Sequence, residues 1–139
     1  MNPDRVLVDT GPLVAMLRQD DANYKACIEA AQTLAYPFLT SWAVITEAAW
    51  LLRNTSDDVS RLLDQLDKGL VIPLDLDAIA IPWIRSFLEK YRDWGAQFAD
   101  ATLCHLGERE GIESIFILDR RDFSVYRTRQ NRAFRLLPK

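Results

Sequence analysis

The fold of this chain is set near its start by the run Arg5-Val6-Leu7-Val8-Asp9-Thr10-Gly11-Pro12. Its first four residues are strand-like and lack polar alternation, which indicates a parallel strand buried on both faces. An acid follows directly, and Pro12 suits the first turn of a helix, where its missing backbone donor costs little. The run therefore predicts a buried strand, an acid at the carboxyl end of that strand and a helix that follows it.

A second apolar run, Ile115-Phe116-Ile117-Leu118, also ends in an acid, Asp119. In open parallel sheets the ligand crevice lies outside the carboxyl ends of the strands, so we expect Asp9 and Asp119 to meet there. Carboxylates crowded within a few Å raise one another's pKa unless a cation neutralises them. Because oxygen ligands favour Mg²⁺ or Mn²⁺, the pattern predicts a divalent cation site at this edge of the sheet.

Apolar runs and helical segments alternate in the order β-α-α-β-α-α-β-α-α-β-α-β. The predicted strands are Arg5–Val8, Pro37–Thr40, Val71–Ile72, Ile115–Leu118 and Ala133–Leu137. The predicted helices begin near Pro12, Asn23, Trp42, Thr55, Asp77 and Asp100, and a short helical turn follows Asp122. This order predicts an α/β protein, a three-layer α/β/α sandwich around a central, mostly parallel sheet of four to five strands. The last strand is expected at an edge because Pro138 ends it, and Pro82 either kinks its helix or marks the first turn.

The composition suits one domain spanning residues 1–139, since 49% of the residues are hydrophobic. Cys27 and Cys104 lie far apart in helix-like apolar patterns, so we expect buried free thiols. No leader pattern and no apolar stretch of roughly 18 residues occurs, so we expect a cytoplasmic protein without a membrane segment. The core or an interface is the expected place for the four tryptophans, Trp42, Trp50, Trp83 and Trp94.

The order of the acidic motifs resembles that of the PIN-domain ribonucleases. The opening Asp9-Thr10-Gly11-Pro12-Leu13-Val14-Ala15 is most similar to the VapC toxins of type II toxin-antitoxin systems, and the resemblance continues through Ser41–Glu47, Phe98–Ala101 and Asp119–Ser124. It implies a PIN-like fold and a catalytic metal site held by Asp9, Glu47, Asp100 and Asp119, with Asp122 as a further candidate ligand. One departure is Ile117, at a position where family members often carry Thr or Ser.

The resemblance implies a metal-dependent endoribonuclease that uses one or two Mg²⁺ or Mn²⁺ ions and leaves a 5′-phosphate and a 3′-hydroxyl. It also implies a small antitoxin encoded alongside and a homodimer, for which apolar residues of 42–52 and 28–34 are candidate surfaces. Because His105 is the single histidine, a ribonuclease mechanism that needs two histidines is excluded. The target RNA does not follow from the sequence.

Further polar residues are candidates for supporting roles. Thr10 and Ser41 are placed to orient a carboxylate or a water beside the metal. Residues 120–139 contain seven basic residues against one acid, a net charge of +6, whereas the rest of the chain carries −9. This basic end is a candidate phosphate-binding segment, with Arg120, Arg121 and Arg127 as the candidate contacts, although it is equally consistent with arginines that balance neighbouring acids.

Several simpler interpretations remain open. Asp9 and Asp100 suit helix caps, Glu47 suits a solvated helix face and Asp122 suits a turn cap. Asp75 and Asp77 fit a helix start and are excluded from the site. A haloacid-dehalogenase-like phosphatase needs an acid where Gly11 stands, and a phosphoacceptor receiver domain lacks its expected lysine and acidic pair. The remaining alternatives are a PIN-like module that binds RNA or protein without cleavage and a solitary housekeeping nuclease.

Overall fold

A computed structural model describes residues 5–128 and 130–138. The chain forms five strands, seven α-helices and a short 3-10 helix at Arg92–Trp94. In chain order the elements are β1 (Val6–Val8), α1 (Thr10–Leu17), α2 (Tyr24–Ala31), β2 (Phe38–Ser41), α3 (Trp42–Leu51), α4 (Ser56–Asp67), β3 (Val71–Leu74), α5 (Ala80–Lys90), α6 (Phe98–Glu110), β4 (Ser114–Phe116), α7 (Arg120–Phe123) and β5 (Arg135–Leu137). This is the predicted order of elements.

The five strands form one parallel sheet in the order β3-β2-β1-β4-β5. The prediction of an α/β sandwich with a central parallel sheet is confirmed, and β5 lies at an edge as expected. Strand β1 pairs with β2 on one side and with β4 on the other, where Val8 is the partner of Phe116. The order of the strands reverses between β1 and β4, which is where a ligand crevice opens in folds of this kind.

The three central strands are buried along their whole length. Leu7, Val8, Ile115 and Phe116 have no exposed surface, as expected for strands covered by helices on both faces. The polar side chain of Thr40 is also buried, and its hydroxyl donates to the carbonyl of Val8 at 2.8 Å. The apolar runs in the sequence therefore correspond to the interior of the sheet.

Helix boundaries near the predicted acids differ from the expectations. Helix α6 begins at Phe98 with Gln97 as its N-cap, so the interpretation of Asp100 as an N-cap is wrong; it lies in the first turn. Pro82 lies in the first turn of α5 and does not kink it. The short turn expected after Asp122 is α7, which begins at Arg120, because Asp119 caps it by accepting a bond from the backbone of Arg121.

The cysteine prediction is confirmed, since Cys27 and Cys104 are buried free thiols. Burial raises the pKa of Cys27 to about 11. Trp83 belongs to the core, whereas the other tryptophans, Trp42, Trp50 and Trp94, are 53%, 63% and 49% exposed. Along the described part of the chain, no helix combines the length and apolar character needed to cross a bilayer.

Close packing of α6 against the sheet generates a stability prediction for Gly107. A Cβ built there would lie 2.8 Å from Phe134 Cε1, 3.0 Å from the carbonyl oxygen of Ile112 and 3.4 Å from Leu7 Cδ1. Alanine normally stabilises a helix interior by up to about 1 kcal/mol over glycine. Here we expect Gly107→Ala to lower the free energy of unfolding by about 1–3 kcal/mol, because overpacking outweighs that gain.

Denaturant unfolding followed by circular dichroism measures this change. Ser60→Ala, on the exposed surface of α4, is the control and should alter the free energy of unfolding by less than about 0.5 kcal/mol. A Gly107→Ala protein as stable as the wild type would contradict the packing described for α6.

Candidate active site

An open cleft of about 270 Å³ lies where β1 and β4 end. Its walls come from residues that follow these strands and from α1, α3, α6 and α7. The residues that line it are Asp9, Thr10, Gly11, Glu47, Leu51, Gln97, Asp100, Leu118, Asp119, Asp122 and Phe123. All five acids predicted from the sequence therefore border one cleft, although they come from distant parts of the chain.

Asp9 is the most strongly perturbed of these acids. Its backbone N–H donates to the carbonyl of Phe116 at 3.0 Å, which ties the end of β1 to β4. Burial raises the pKa of Asp9 to about 7, the backbone N–H of Thr10 opposes this rise, and repulsion from Asp100, Glu47 and Asp119 adds to it. Asp9 occupies the N-cap position of α1 without making a side-chain capping bond, so capping does not account for its carboxylate.

Asp100 is held by two hydrogen-bond donors. The hydroxyl of Tyr126 donates to its Oδ2 at 3.0 Å, and the backbone N–H of Gln97 also bonds to its carboxyl group. Burial raises the pKa of Asp100, these two bonds lower it, and repulsion from Asp122 and Glu47 raises it further. The carboxylate therefore has a defined orientation beside the cleft.

The remaining acids of the cleft, Glu47, Asp119 and Asp122, repel Asp9, Asp100 or both. Glu47 projects from the middle of α3, is half-buried and repels both Asp9 and Asp100. Asp119 is exposed and acts on Asp9, whereas Asp122 is half-buried and acts on Asp100. Asp100 also repels Asp9, so repulsion links all five acids of the cleft.

The two predicted hydroxyl residues have different surroundings. Thr10 lines the cleft, and its buried Oγ1 has no hydrogen-bond partner among the described residues. Ser41 does not line the cleft. Its Oγ accepts from the backbone N–H of Val44 at 3.2 Å and shares a 2.8 Å hydrogen bond with Thr102 Oγ1. Ser41 therefore joins the start of α3 to α6, the helices that carry Glu47 and Asp100.

The three arginines proposed as phosphate contacts are not equivalent. Arg120 donates to the backbone carbonyls of Leu136 and Pro138, and Arg127 donates to those of Ser124 and Tyr126. The guanidinium group of Arg121 is exposed and makes no hydrogen bond or ion pair within residues 5–128 and 130–138. The other basic residues of this segment include Arg129 and Lys139, which lie outside the described residues. Arg121 is therefore best placed to bind an anion.

Other residues considered in the sequence lie away from the cleft. His105 is buried and packs edge-to-face on Trp83 with 5.0 Å between ring centroids. Ile117 is 1% exposed and belongs to the core. Asp77 accepts a hydrogen bond from the backbone N–H of Ile79 just before α5, and neither it nor Asp75 lines the cleft.

Tyr126 is the residue that the sequence analysis missed. It lies beyond the acidic motifs, is fully buried and reaches Asp100 across 26 positions of sequence. No residue spacing in the sequence predicts this contact, because it depends on how the segment after α7 packs against α5 and α6. Gln97 was also missed, although a residue three positions before a first-turn acid is a natural partner for it.

The cleft chemistry suits a hard divalent cation. Its donors are carboxylate oxygens and one buried hydroxyl without a partner, the ligand type that Mg²⁺ and Mn²⁺ prefer. Within the described part of the chain, no three acidic, histidine or cysteine side chains already converge closely enough to form a preformed ligand cluster. The acids therefore border one cleft without forming a closed ligand cluster.

The raised pKa of Asp9 gives a prediction for metal-free protein. The folded state retains a proton on Asp9 between its ordinary value of 3.8 and about 7, whereas the unfolded state has lost it. The free energy of unfolding therefore falls as pH rises through this window. Asparagine has no carboxyl group to titrate, so the free energy of unfolding of Asp9→Asn should not fall in this window. At neutral pH we expect this variant to be more stable than the wild type, by about 4 kcal/mol at most.

Thermal unfolding in EDTA, repeated across this pH window, tests the prediction. Asp77→Asn is the matched control, because Asp77 is exposed, lies away from the cleft and keeps its hydrogen bond to the backbone of Ile79 when it becomes asparagine. If wild type and Asp9→Asn show the same pH dependence, Asp9 does not titrate as described.

No family model matches the sequence, and no curated protein matches it. A solved structure that is similar to this one is VapC20 of Mycobacterium tuberculosis, described as a toxin that cleaves the sarcin-ricin loop. The TM-score is 0.76 with 18% sequence identity, over 83% of this chain and 90% of that one. At this identity the likeness concerns the fold, and we conclude that this chain has a VapC-like PIN fold.

Proposed function

We propose that this protein is a divalent-metal-dependent endoribonuclease, the toxin of a toxin-antitoxin pair. One observation carries the proposal: Asp9, Glu47, Asp100 and Asp119 border a single cleft, and the pKa of Asp9 is raised to about 7. Acids held in this way need a positive partner to remain ionised at neutral pH. The VapC-like fold supports the same conclusion, since the similar VapC20 is described as an RNA-cleaving toxin.

The proposed ligands are Asp9, Glu47, Asp100 and Asp119, with Asp122 as an additional one. A bound Mg²⁺ or Mn²⁺ supplies Lewis acidity, which lowers the pKa of water and offsets charge on a phosphate. Asp9 would hold the cation in its ionised form. Because each acid comes from a different helix or strand end, the loss of one leaves the positions of the others set by the fold.

The neighbouring polar groups have proposed roles in substrate binding. The unpartnered hydroxyl of Thr10 orients a water beside Asp9. The exposed guanidinium of Arg121 contacts a phosphate of the RNA, and this contact offsets the repulsion between RNA and the acidic cleft. Direct hydrolysis of the phosphodiester would leave a 5′-phosphate and a 3′-hydroxyl, without the cyclic phosphate that attack by the 2′-hydroxyl produces.

Cleavage of total RNA by the purified protein tests the activity. With Mg²⁺ or Mn²⁺ we expect products that carry 5′-phosphates, and EDTA should abolish them. Asp9→Asn should lower the rate by at least about 100-fold, because it removes a charged ligand. Asp77→Asn, which keeps its surface hydrogen bond to the backbone of Ile79, should cleave at the wild-type rate.

The mapped product ends decide between mechanisms. Products with cyclic phosphates, or activity that survives EDTA, would refute metal-dependent hydrolysis. Absence of cleavage by folded, metal-loaded and antitoxin-free protein would favour the alternative of a PIN-like module that binds RNA or protein without cutting.

Two surfaces are proposed for protein partners. Trp42, Trp50 and Leu51 of α3 are large apolar side chains that are 53%, 63% and 44% exposed, and exposed apolar side chains can contribute to an interaction site. On another part of the surface, Ile28 of α2 lines an apolar pocket of about 150 Å³ with Met16 and Leu17 of α1. We assign these surfaces to contacts with a second copy of the chain and with an antitoxin.

The toxin assignment predicts the effect of expression in cells. Induction of the wild-type protein in the cytoplasm should stop growth, because an unrestrained ribonuclease degrades essential RNA. Asp9→Asn should be harmless at equal abundance, and co-expression of the small protein encoded next to it should restore growth. Growth is followed by optical density and protein abundance by immunoblot. Harmless expression of folded, active enzyme would instead indicate a solitary housekeeping nuclease.

A further inference from the structure

The hydroxyl of Tyr126 donates to Asp100 Oδ2 at 3.0 Å, although Tyr126 itself does not line the cleft. We propose that Tyr126 is a positioning residue, which holds the Asp100 carboxylate in the orientation that binds the cation. This inference rests on the proposed function of the cleft. It extends the site beyond the acids, to a residue that never touches the metal or the RNA.

The ring of Tyr126 is enclosed by other aromatic rings. Its centroid lies 4.9 Å from Phe87, 4.9 Å from Tyr91 and 5.0 Å from Phe123, each nearly edge-to-face. Such contacts add to the stability gained from burial alone, and Tyr126 has no exposed surface. The hydroxyl therefore cannot swing away from Asp100 without displacing these rings.

The backbone next to Tyr126 is also held in place. The N–H of Arg127 donates to the hydroxyl of Tyr91 at 2.9 Å, which ties this segment to the end of α5. Phe123, in contact with Tyr126, also lines the cleft, and its neighbour Asp122 is one of the acids. The aromatic cluster thus joins α5, α7 and the segment after α7 directly behind the acidic cleft.

The consequence for Asp100 follows from its hydrogen-bond capacity. An ionised carboxylate offers about four acceptor positions, and two donors, Tyr126 and the backbone of Gln97, already bond to it. These bonds select one rotation of the carboxylate and leave further lone pairs for a cation. Loss of a partner of this type typically weakens metal binding by about 10- to 100-fold.

Mn²⁺ titration of Tyr126→Phe tests the proposal. Phenylalanine keeps the ring and its packing and removes the hydroxyl. We expect calorimetry to give an Mn²⁺ affinity about 10- to 100-fold below that of the wild type. In RNA cleavage, the Mn²⁺ concentration for half-maximal rate should rise by a similar factor, while the rate at saturating Mn²⁺ falls much less. A purely structural role would not produce this separation.

Tyr36→Phe is the control, because it removes a tyrosine hydroxyl from an exposed side chain that lies away from the cleft and from the cluster around Tyr126. Its Mn²⁺ affinity should stay within about 3-fold of the wild type, as expected for a group outside the metal's hydrogen-bonded shell. An unchanged affinity in Tyr126→Phe would overturn the inference, and so would an equal loss in both variants. If the wild type itself binds no Mn²⁺, the proposed metal site is refuted. This outcome is distinct from one in which the wild type binds Mn²⁺ and only the role of Tyr126 is refuted.

Nuclear magnetic resonance of the wild-type protein tests the same hydrogen bond without requiring that a variant fold correctly. The ¹³Cζ resonance of Tyr126 reports on the hydrogen bond of its hydroxyl. Saturating Mg²⁺ should shift this resonance, because the Asp100 carboxylate becomes a weaker acceptor once it binds a cation. The resonance of Tyr36, which is 52% exposed, should not move. A Tyr126 resonance that stays fixed while Mg²⁺ binds would refute the positioning role.

Discussion

Parallel pairing of β1 with β4 is the constraint on which the rest of the structure depends. The pairing sets Val8 beside Phe116, and the backbone N–H of Asp9 continues it by donating to the carbonyl of Phe116. It brings residues separated by most of the chain to one edge of the sheet, where Asp9 and Asp119 line the same cleft. Helices on both faces then cover the strands, so water is excluded from one side of the acids while the other side stays open.

The close approach of buried acids lowers the free energy of unfolding of the metal-free protein. Burial and mutual repulsion raise the pKa of Asp9 to about 7 and also raise that of Asp100, so metal-free protein loses stability as these groups ionise. A core of close-packed strands and helices offsets this loss, with Leu7, Leu103, Leu106 and Ile115 fully buried. A bound cation would offset this repulsion, so the proposed metal site would also stabilise the fold.

Contacts behind the cleft position the helices that carry the acids. Ser41 and Thr102 share a hydrogen bond that joins the start of α3 to α6, which fixes Glu47 relative to Asp100. Tyr126 acts on Asp100 from within the aromatic cluster. Ser41, Thr102 and Tyr126 do not line the cleft themselves. They restrict the positions of Asp100 and of the helix that carries Glu47, although these acids repel each other.

Apolar runs in the sequence predicted the order of elements and the parallel sheet, and they placed Asp9 and Asp119 at strand ends that face one edge. Glu47, Asp100 and Asp122 lie on helices and were predicted only from the resemblance to the PIN-domain ribonucleases. The sequence also excluded Asp75 and Asp77, whose surroundings are local. The tertiary structure alone decided that Ser41 joins two helices, that Arg120 and Arg127 bind backbone carbonyls whereas Arg121 is exposed, and that Tyr126 reaches Asp100. Each of these depends on contacts between segments distant in sequence, which no local pattern encodes.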